Sequence, residues 1–331
     1  MRREKDQYLG CLIGVAVGDA LGAPVEFSSL SGIRRRFGNG GITEFFEWGG
    51  FKPGSYTDDT QLSLATAVGC IRAQQRFKDG GIFQPAEIVY NQYLDWLKTQ
   101  NDPAQRRAPG NTCLTALRSG RMGSINERIN DSKGCGGVMR AAPVGLAFGP
   151  GDAFKHGAEF AAITHGHPSG YLPAGFLAEM IAGLLEGKAL TEAIEKGIIE
   201  LKKYGGYQET LEKVKLAADL VGTEESIPNA IKRIGEGWVG EEALGISLYC
   251  TLQYPNDWVK GTLAAVNHSG DSDSTGSITG AILGTLLGAE AIPERWIQNV
   301  EDSENIKKIA SDMYLVFRKG EKLSFDEYPP N

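Results

Sequence analysis

Asn267–Gly284 reads NHSGDSDSTGSITGAILG, and the run TLLG carries it on to Gly288. Two aspartates, Asp271 and Asp273, open the stretch with Ser274 and Thr275 beside them. The chain then turns apolar, with Gly276, Gly280, Gly284 and Gly288 recurring at every fourth position. The same period runs through Gly10, Gly14, Gly18 and Gly22 in GCLIGVAVGDALG. Residues four apart share one face of a helix. Each such glycine costs about 1 kcal/mol against alanine in a helix interior. Close approach of another helix backbone offsets that cost, because only glycine lets two helices come so near. The two stripes therefore predict central helices packed by their glycine faces.

The rest of the chain is also helical in pattern. Tyr90, Tyr93, Leu94 and Leu97 fall on one face. Ile194, Ile198 and Leu201 do the same, followed by Leu211, Val214, Ala217, Ala218 and Val221. Period-two alternation is scarce. Breaks such as GFKPGS, RAPGN, GPGD and KKYGGY punctuate the pattern, and no low-complexity linker divides it. The expected fold class is all-α: a single compact multi-helix bundle of a dozen or more helices, one domain over 1–331.

The charge balance, 34 basic against 41 acidic residues, argues against a general nucleic-acid or membrane-surface binder. The GxxxG spacing also occurs in membrane helices, but Asp19 interrupts the first stripe. The longest apolar run, Ile278–Ala289, falls short of the roughly 20 residues a bilayer needs. The five cysteines are odd in number and form no CxxC pair, so neither a disulfide framework nor structural zinc is expected. With a charged N-terminus that lacks a signal-peptide core, this favours a reducing, cytoplasmic setting.

A second acidic cluster stands far from the first. In YTDDTQ, Thr57, Asp58 and Asp59 precede the apolar-periodic stretch Leu62–Ile71. One reading is an ordinary helix start: a threonine cap and two carboxylates favoured by the helix dipole. The other sets two hydroxyl-and-carboxylate clusters around cations. Carboxylates held close resist ionising together, and a cation between them removes the penalty. Hard oxygen donors suit Mg²⁺ or Mn²⁺, and two such segments suit a two-metal centre. Glu26, just past the first glycine stripe, completes the shell on that reading.

Three further segments carry polar groups. Gly134, Gly136 and Gly137, ahead of an expected helix near Val138, form either a phosphate nest or a plain glycine turn. The spacing is not that of a Walker loop. In APGNTC, Asn111 and Thr112 are either an N-terminal cap or ligand-facing groups. His165 and His167, in THGHP, mark a helix end and lack the i, i+4 spacing of a zinc pair.

Taken in order, GVAVGDALGAPVEF, YTDDTQ, GCGGVMRAAPVGL, ITHGHP and GDSDSTG resemble the ADP-ribosylglycohydrolases, including the ADP-ribosylarginine hydrolases. The motifs span Gly14–Gly276. The resemblance implies an all-α bundle around a dinuclear Mg²⁺ or Mn²⁺ site. It implies metal ligation by Thr57, Asp58, Asp59, Asp271, Asp273 and Ser274, with Glu26, Asp58, Asp59 and Asp273 in catalysis. It implies a phosphate-binding loop at Ser132 through Val138, including Gly134, Cys135, Gly136 and Gly137, and ligand contact by His165 but not by His167. Asn111 is added as a substrate-side residue. Several relatives have asparagine where this chain has Cys135. The stretch 188–240 carries no motif of the family.

The activity so implied is removal of ADP-ribose from modified protein, with an arginine N-glycosidic linkage expected. The partners are then an ADP-ribosylated protein and ADP-ribose, with a toxin as a further candidate. One alternative is a module that binds ADP-ribose or neutralises a toxin by contact. Another follows from DSDST, which also fits the DxDxT pattern of haloacid-dehalogenase-type phosphatases with Asp271 as nucleophile. That motif belongs at the end of a parallel strand, and strand signals are missing here.

Overall fold

The computed structural model describes residues 2–324 and 326–329. Residues 1, 325, 330 and 331 of the expected 1–331 domain lie outside them. The helices in chain order are α1 Arg2–Gly22, α2 Leu30–Phe37, α3 Asp58–Gly80, α4 Pro85–Thr99, α5 Asn111–Arg118, α6 Ala142–Ala147, α7 Asp152–Ala162 and α8 Pro168–Leu185. They continue as α9 Leu190–Leu201, α10 Gln208–Leu220, α11 Ile227–Ile234, α12 Gly240–Gln253, α13 Trp258–Val266, α14 Ser272–Leu287, α15 Glu294–Asn299 and α16 Ser303–Phe317. No strand occurs among the described residues, only isolated bridges such as Gly134 with Val239.

The glycine stripes meet each other. A Cβ added at Gly14 would stand 2.1 Å from the Gly280 carbonyl oxygen, and one at Gly280 would stand 2.1 Å from that of Gly14. Gly18 pairs in the same way with Gly276, and Gly10 with Gly284. The rising and falling numbers make α1 and α14 antiparallel. No side chain fits between them, so backbone lies on backbone. This is the geometry the sequence period predicts.

The rest of the core repeats the device on a smaller scale. α8 is buried along its whole length after Pro168, as a helix apolar all round must be. Gly145 of α6 and Gly157 of α7 lie against the Ala178 and Ala174 carbonyls of α8. α1, α8 and α14 thus form the centre, and the remaining helices wrap it.

Some local expectations need correction. On α4 Tyr93 is fully buried and Tyr90, Leu94 and Leu97 are half-buried against the core, but Ile88, Val89 and Trp96 form the rest of the buried face. On α10, Val214 and Ala217 are buried but Ala218 is exposed. The helix expected near Val138 is a single 3₁₀ turn, Cys135–Gly137, and α6 starts only at Ala142. Pro143 explains this: its ring would clash inside a helix begun at Val138, but it is tolerated in a first turn. All five cysteines are free, as expected. No helix among the described residues is long and apolar enough to cross a membrane.

Candidate functional site

The antiparallel seam decides where the acidic residues meet. It sets the C-terminal end of α1 beside the N-terminal end of α14, with Gly22 against the Ser272 carbonyl. Glu26, one turn past α1, thereby reaches Asp271 and Asp273. One ligand atom from each of these three carboxylates lies within 4.8 Å of the others.

The α3 cluster is brought in by Asp19. This α1 residue is fully buried. Its Oδ1 accepts from the Thr57 amide at 2.9 Å. Its Oδ2 accepts from the Thr60 amide at 3.0 Å and from the Thr60 hydroxyl at 2.6 Å. Asp19 therefore caps the start of α3 and fixes it to α1. Thr57 caps the same end, its Oγ1 accepting from the Asp59 amide at 3.2 Å. At the start of α14, Asp271 Oδ1 accepts from the Ser274 amide at 3.3 Å. Both helix-start readings of the sequence are thus realised, and both clusters still face one cavity.

That cavity has a volume of about 320 Å³. Glu26, Asp58, Asp59, Asp271, Asp273 and Ser274 line it. Asn111, Gly134, Cys135, Gly136 and His165 line it as well. Thr57, Ser132, Gly137 and Val138 do not reach its wall among the described residues. No lysine or arginine lines it either, so five carboxylates face one another without a protein cation.

Burial dominates the protonation of Glu26, Asp58, Asp59 and Asp273. It pushes the Asp58 carboxyl up to about 8, with Asp19 and Asp271 adding repulsion. Burial, then the Asp271, Asp58 and Asp19 charges, pushes Glu26 up to about 9. Asp59 and Asp273 are raised well above the usual carboxylate range, by burial first and by neighbouring carboxylates second. Asp19 rises only to about 6, because its hydrogen bonds to Thr60 and Thr57 oppose the cost of burial. Asp59 Oδ2 and Asp273 Oδ1 are buried with no hydrogen-bond partner. Two carboxylates at such range repel by about 3–4 kcal/mol at an effective dielectric of about 20. Unpartnered hard oxygens crowded in this way fit divalent cations.

The glycine loop is less open than an amide nest. The Gly134 amide donates to Ser132 Oγ at 3.2 Å, and the Cys135 amide to the Trp238 carbonyl at 3.2 Å. The Val138 amide donates to the Cys135 carbonyl at 2.9 Å. The loop glycines also serve close approach. A Cβ at Gly134 or Gly136 would stand 3.3 Å or 3.2 Å from His165 Nε2. His165 is buried and held neutral, its ring pushed down to about 3 by burial and by Arg140. Its Nδ1 lies 2.9 Å from Thr164 Oγ1, while the Arg140 guanidinium donates to that hydroxyl at 2.6 Å. His167 does not join it, because its Nδ1 accepts from the Ser169 amide at 3.0 Å and caps α8.

A sequence profile of the ADP-ribosylglycohydrolases matches residues 1–322. The chain belongs to the ADP-ribosylglycohydrolase family. It is 28% identical over 307 residues to the ADP-ribosyl-[dinitrogen reductase] glycohydrolase of Rhodospirillum rubrum, covering 89% of this chain and 90% of that protein. It is 25% identical over 368 residues to the ADP-ribosylhydrolase ARH3 of Mus musculus, covering 96% and 93%. A solved structure described as an ADP-ribosylglycohydrolase-related protein complex is similar with a TM-score of 0.68 at 25% identity, over 95% of this chain and 99% of that one.

Within this family fold, three residues at the site have no role read from the sequence, although two of them stand inside GVAVGDALGAPVEF. Asp19 is one; its only signal is a lone carboxylate inside an apolar glycine stripe. Phe27 and Trp238 are the others. Their rings stack across the mouth, with centroids 5.0 Å apart and planes 16° from parallel. Phe27 is 75% exposed and sits at φ 61°, a left-handed conformation rare for an aromatic residue. Trp238 lies in the stretch 188–240, so that stretch reaches the site after all.

Proposed function

We propose that this chain hydrolyses the bond between ADP-ribose and an acceptor on protein, using a pair of divalent cations, Mg²⁺ or Mn²⁺. The observation that carries the proposal is the facing set of five carboxylates with no protein cation among them. Asp58, Asp59, Asp271 and Asp273, with Glu26 and the Ser274 hydroxyl, are the residues assigned to hold the cations, while the Thr57 hydroxyl caps α3 behind them. When bound, such ions supply Lewis-acid charge and lower the pKa of a coordinated water.

The chain's own groups supply the rest. Glycosidic cleavage passes through an oxocarbenium-like state, and a preorganised acidic wall stabilises that positive charge. Glu26 stands at the mouth beside Phe27, half-buried. Ionised beside the cations, its carboxylate is placed to take the proton of the attacking water and pass it to the departing acceptor. The neutral His165 ring and the Gly134–Gly136 backbone form the opposite wall, where the pyrophosphate is assigned. Asn111, at the start of α5, borders the same wall.

An arginine linkage suits the mouth. A guanidinium leaving group is planar and cationic, and the exposed Phe27 face offers a cation–π surface. Glu236 lies beside it, its Oε2 accepting from Trp238 Nε1 at 3.2 Å. The phosphatase alternative loses its context, since Asp271 caps a helix instead of ending a strand. The test is incubation with arginine-, serine- and nucleic-acid-linked ADP-ribose in Mg²⁺, following free ADP-ribose by mass spectrometry. Release from the arginine conjugate is expected. ADP-ribose binding by calorimetry without release from any conjugate would replace the enzyme with a reader.

A further inference from the structure

The residues assigned to hold the cations all offer hard oxygen, and one thiol of the same wall touches them. Cys135 Sγ lies 2.8 Å from Asp271 Oδ2, to which it donates, and 3.7 Å from Ser274 Oγ. Asp271 is also the carboxylate shared with Glu26 and Asp273. The thiol therefore sits against two residues of the proposed centre, Asp271 and Ser274. The unpartnered, buried Asp59 Oδ2 and Asp273 Oδ1 belong to the same cavity and call independently for a cation. The second cysteine of the wall, Cys113, is committed elsewhere: its Sγ accepts from Arg140 Nη1 at 3.3 Å. Cys11, Cys70 and Cys250 are buried away from this wall.

We propose that Cys135 is a sulfur ligand for one cation position, so that this site takes a thiophilic divalent cation such as Zn²⁺ or Cd²⁺ between Cys135 Sγ and the Asp271 carboxylate. The inference rests on the metal-centre reading above. On binding, the S–H bond breaks, the proton passes to water and the sulfur lone pair forms the metal bond, with no change of oxidation state. Soft ligands select soft or borderline metals, whereas Mg²⁺ gains nothing from sulfur. A cysteine here thus makes the centre sensitive to thiophilic ions in a way an oxygen or amide side chain would not.

Co²⁺ titration of the full chain tests this, read by optical spectroscopy and calorimetry together. The wild type is expected to show a sulfur-to-cobalt charge-transfer band that saturates with binding. Cys135→Ser keeps a donor for Asp271 but removes the sulfur. It should bind Co²⁺ without the band, lose about tenfold or more in Cd²⁺ affinity, and keep Mg²⁺ affinity within the same order of magnitude. Cys113→Ser should retain the band. Cys135→Asn, measured in parallel, gives the same reading should the serine variant not fold. Co²⁺ bound by the wild type without the band overturns the sulfur ligand and leaves the oxygen centre standing. So does a band that survives at Cys135→Ser or disappears at Cys113→Ser. Absence of Mg²⁺, Mn²⁺ and Co²⁺ binding alike overturns the metal centre and the inference with it.

Discussion

The α1–α14 seam and the cavity at its end are built from the same two helices and obey opposite rules. Along the seam the tight contacts are between backbones, and the chain satisfies them alone. In the cavity the close neighbours are like charges, and two buried carboxylate oxygens have no partner at all. The seam is a finished interface. The cavity is finished only by something the chain does not supply. The contrast shows how one helix pair serves both stability and chemistry: the glycines fix the register, and the register forces carboxylates together that would otherwise move apart. Substitutions in the two regions should therefore differ in sign as well as in size.

The largest effect belongs to the seam. Gly14→Ala and Gly280→Ala each drive a methyl group to 2.1 Å from a carbonyl oxygen of the other helix. The helices must separate, and every glycine contact beyond them opens. A loss of more than about 4 kcal/mol is expected, placing it in the diagnostic tail of single substitutions. Gly80→Ala, at the end of α3 with nothing within 4 Å, should instead hold or gain up to about 1 kcal/mol. Urea unfolding of the three variants decides. A Gly14→Ala midpoint equal to the wild type's would mean the helices are not in backbone contact.

In the cavity the sign reverses. Asp58→Asn and Asp273→Asn should lower ADP-ribose release at least about a hundredfold, the upper range for disturbing a metal shell. Yet in EDTA both variants should unfold no earlier than the wild type, because each removes a carboxyl that is costly to bury among its acidic neighbours. An early unfolding of Asp273→Asn in EDTA would show that the carboxylate serves the fold instead. Divalent cation comes next in size. At about 100 times its dissociation constant, Mg²⁺ or Mn²⁺ should stabilise the wild type by about 2.7 kcal/mol. EDTA should abolish the gain, and Asp273→Asn should blunt it. Thermal melts with and without the ion measure this.

The seam was the most legible part of the sequence, because one residue type at one spacing has one packing solution. The acidic clusters were half legible. Thr57, Asp58, Asp59, Asp271 and Asp273 read equally well as helix starts. The structure shows both clusters to be helix starts, and it sets their four aspartates in a shared wall. Asp19 was hidden because capping α3 from α1 depends on contact across 38 residues of chain. Phe27 and Trp238 were hidden for the same reason: a stack between two loops has no period. The glycine loop was legible as a loop but not in its contacts. A run of glycines signals free amides or close approach, and only the neighbours, His165 and the Trp238 carbonyl, show which.

The last signal is read as a slope with pH. Asp58 at about 8 and Glu26 at about 9 keep protons in the folded chain that the unfolded chain, with carboxyls at about 4, has already released. The folded state then binds more protons, so stability falls as pH rises through this window. His165 acts in the other direction. Its folded value of about 3 lies below the roughly 6.5 of a free imidazole, so its contribution rises with pH and is complete by about pH 6.5. Between about pH 6.5 and 9 the carboxyls therefore act without it. A bound cation ionises them in advance and removes their proton uptake. Cation-free protein should lose stability across this range, by up to about 1.4 kcal/mol per pH unit for each proton held, and Mg²⁺-loaded protein should lose less. Asp58→Asn should flatten the cation-free line by its own share. Gly80→Ala adds and removes no titratable group, so it should leave the slope untouched. Parallel lines with and without Mg²⁺ would mean that the cation does not bind among these carboxylates.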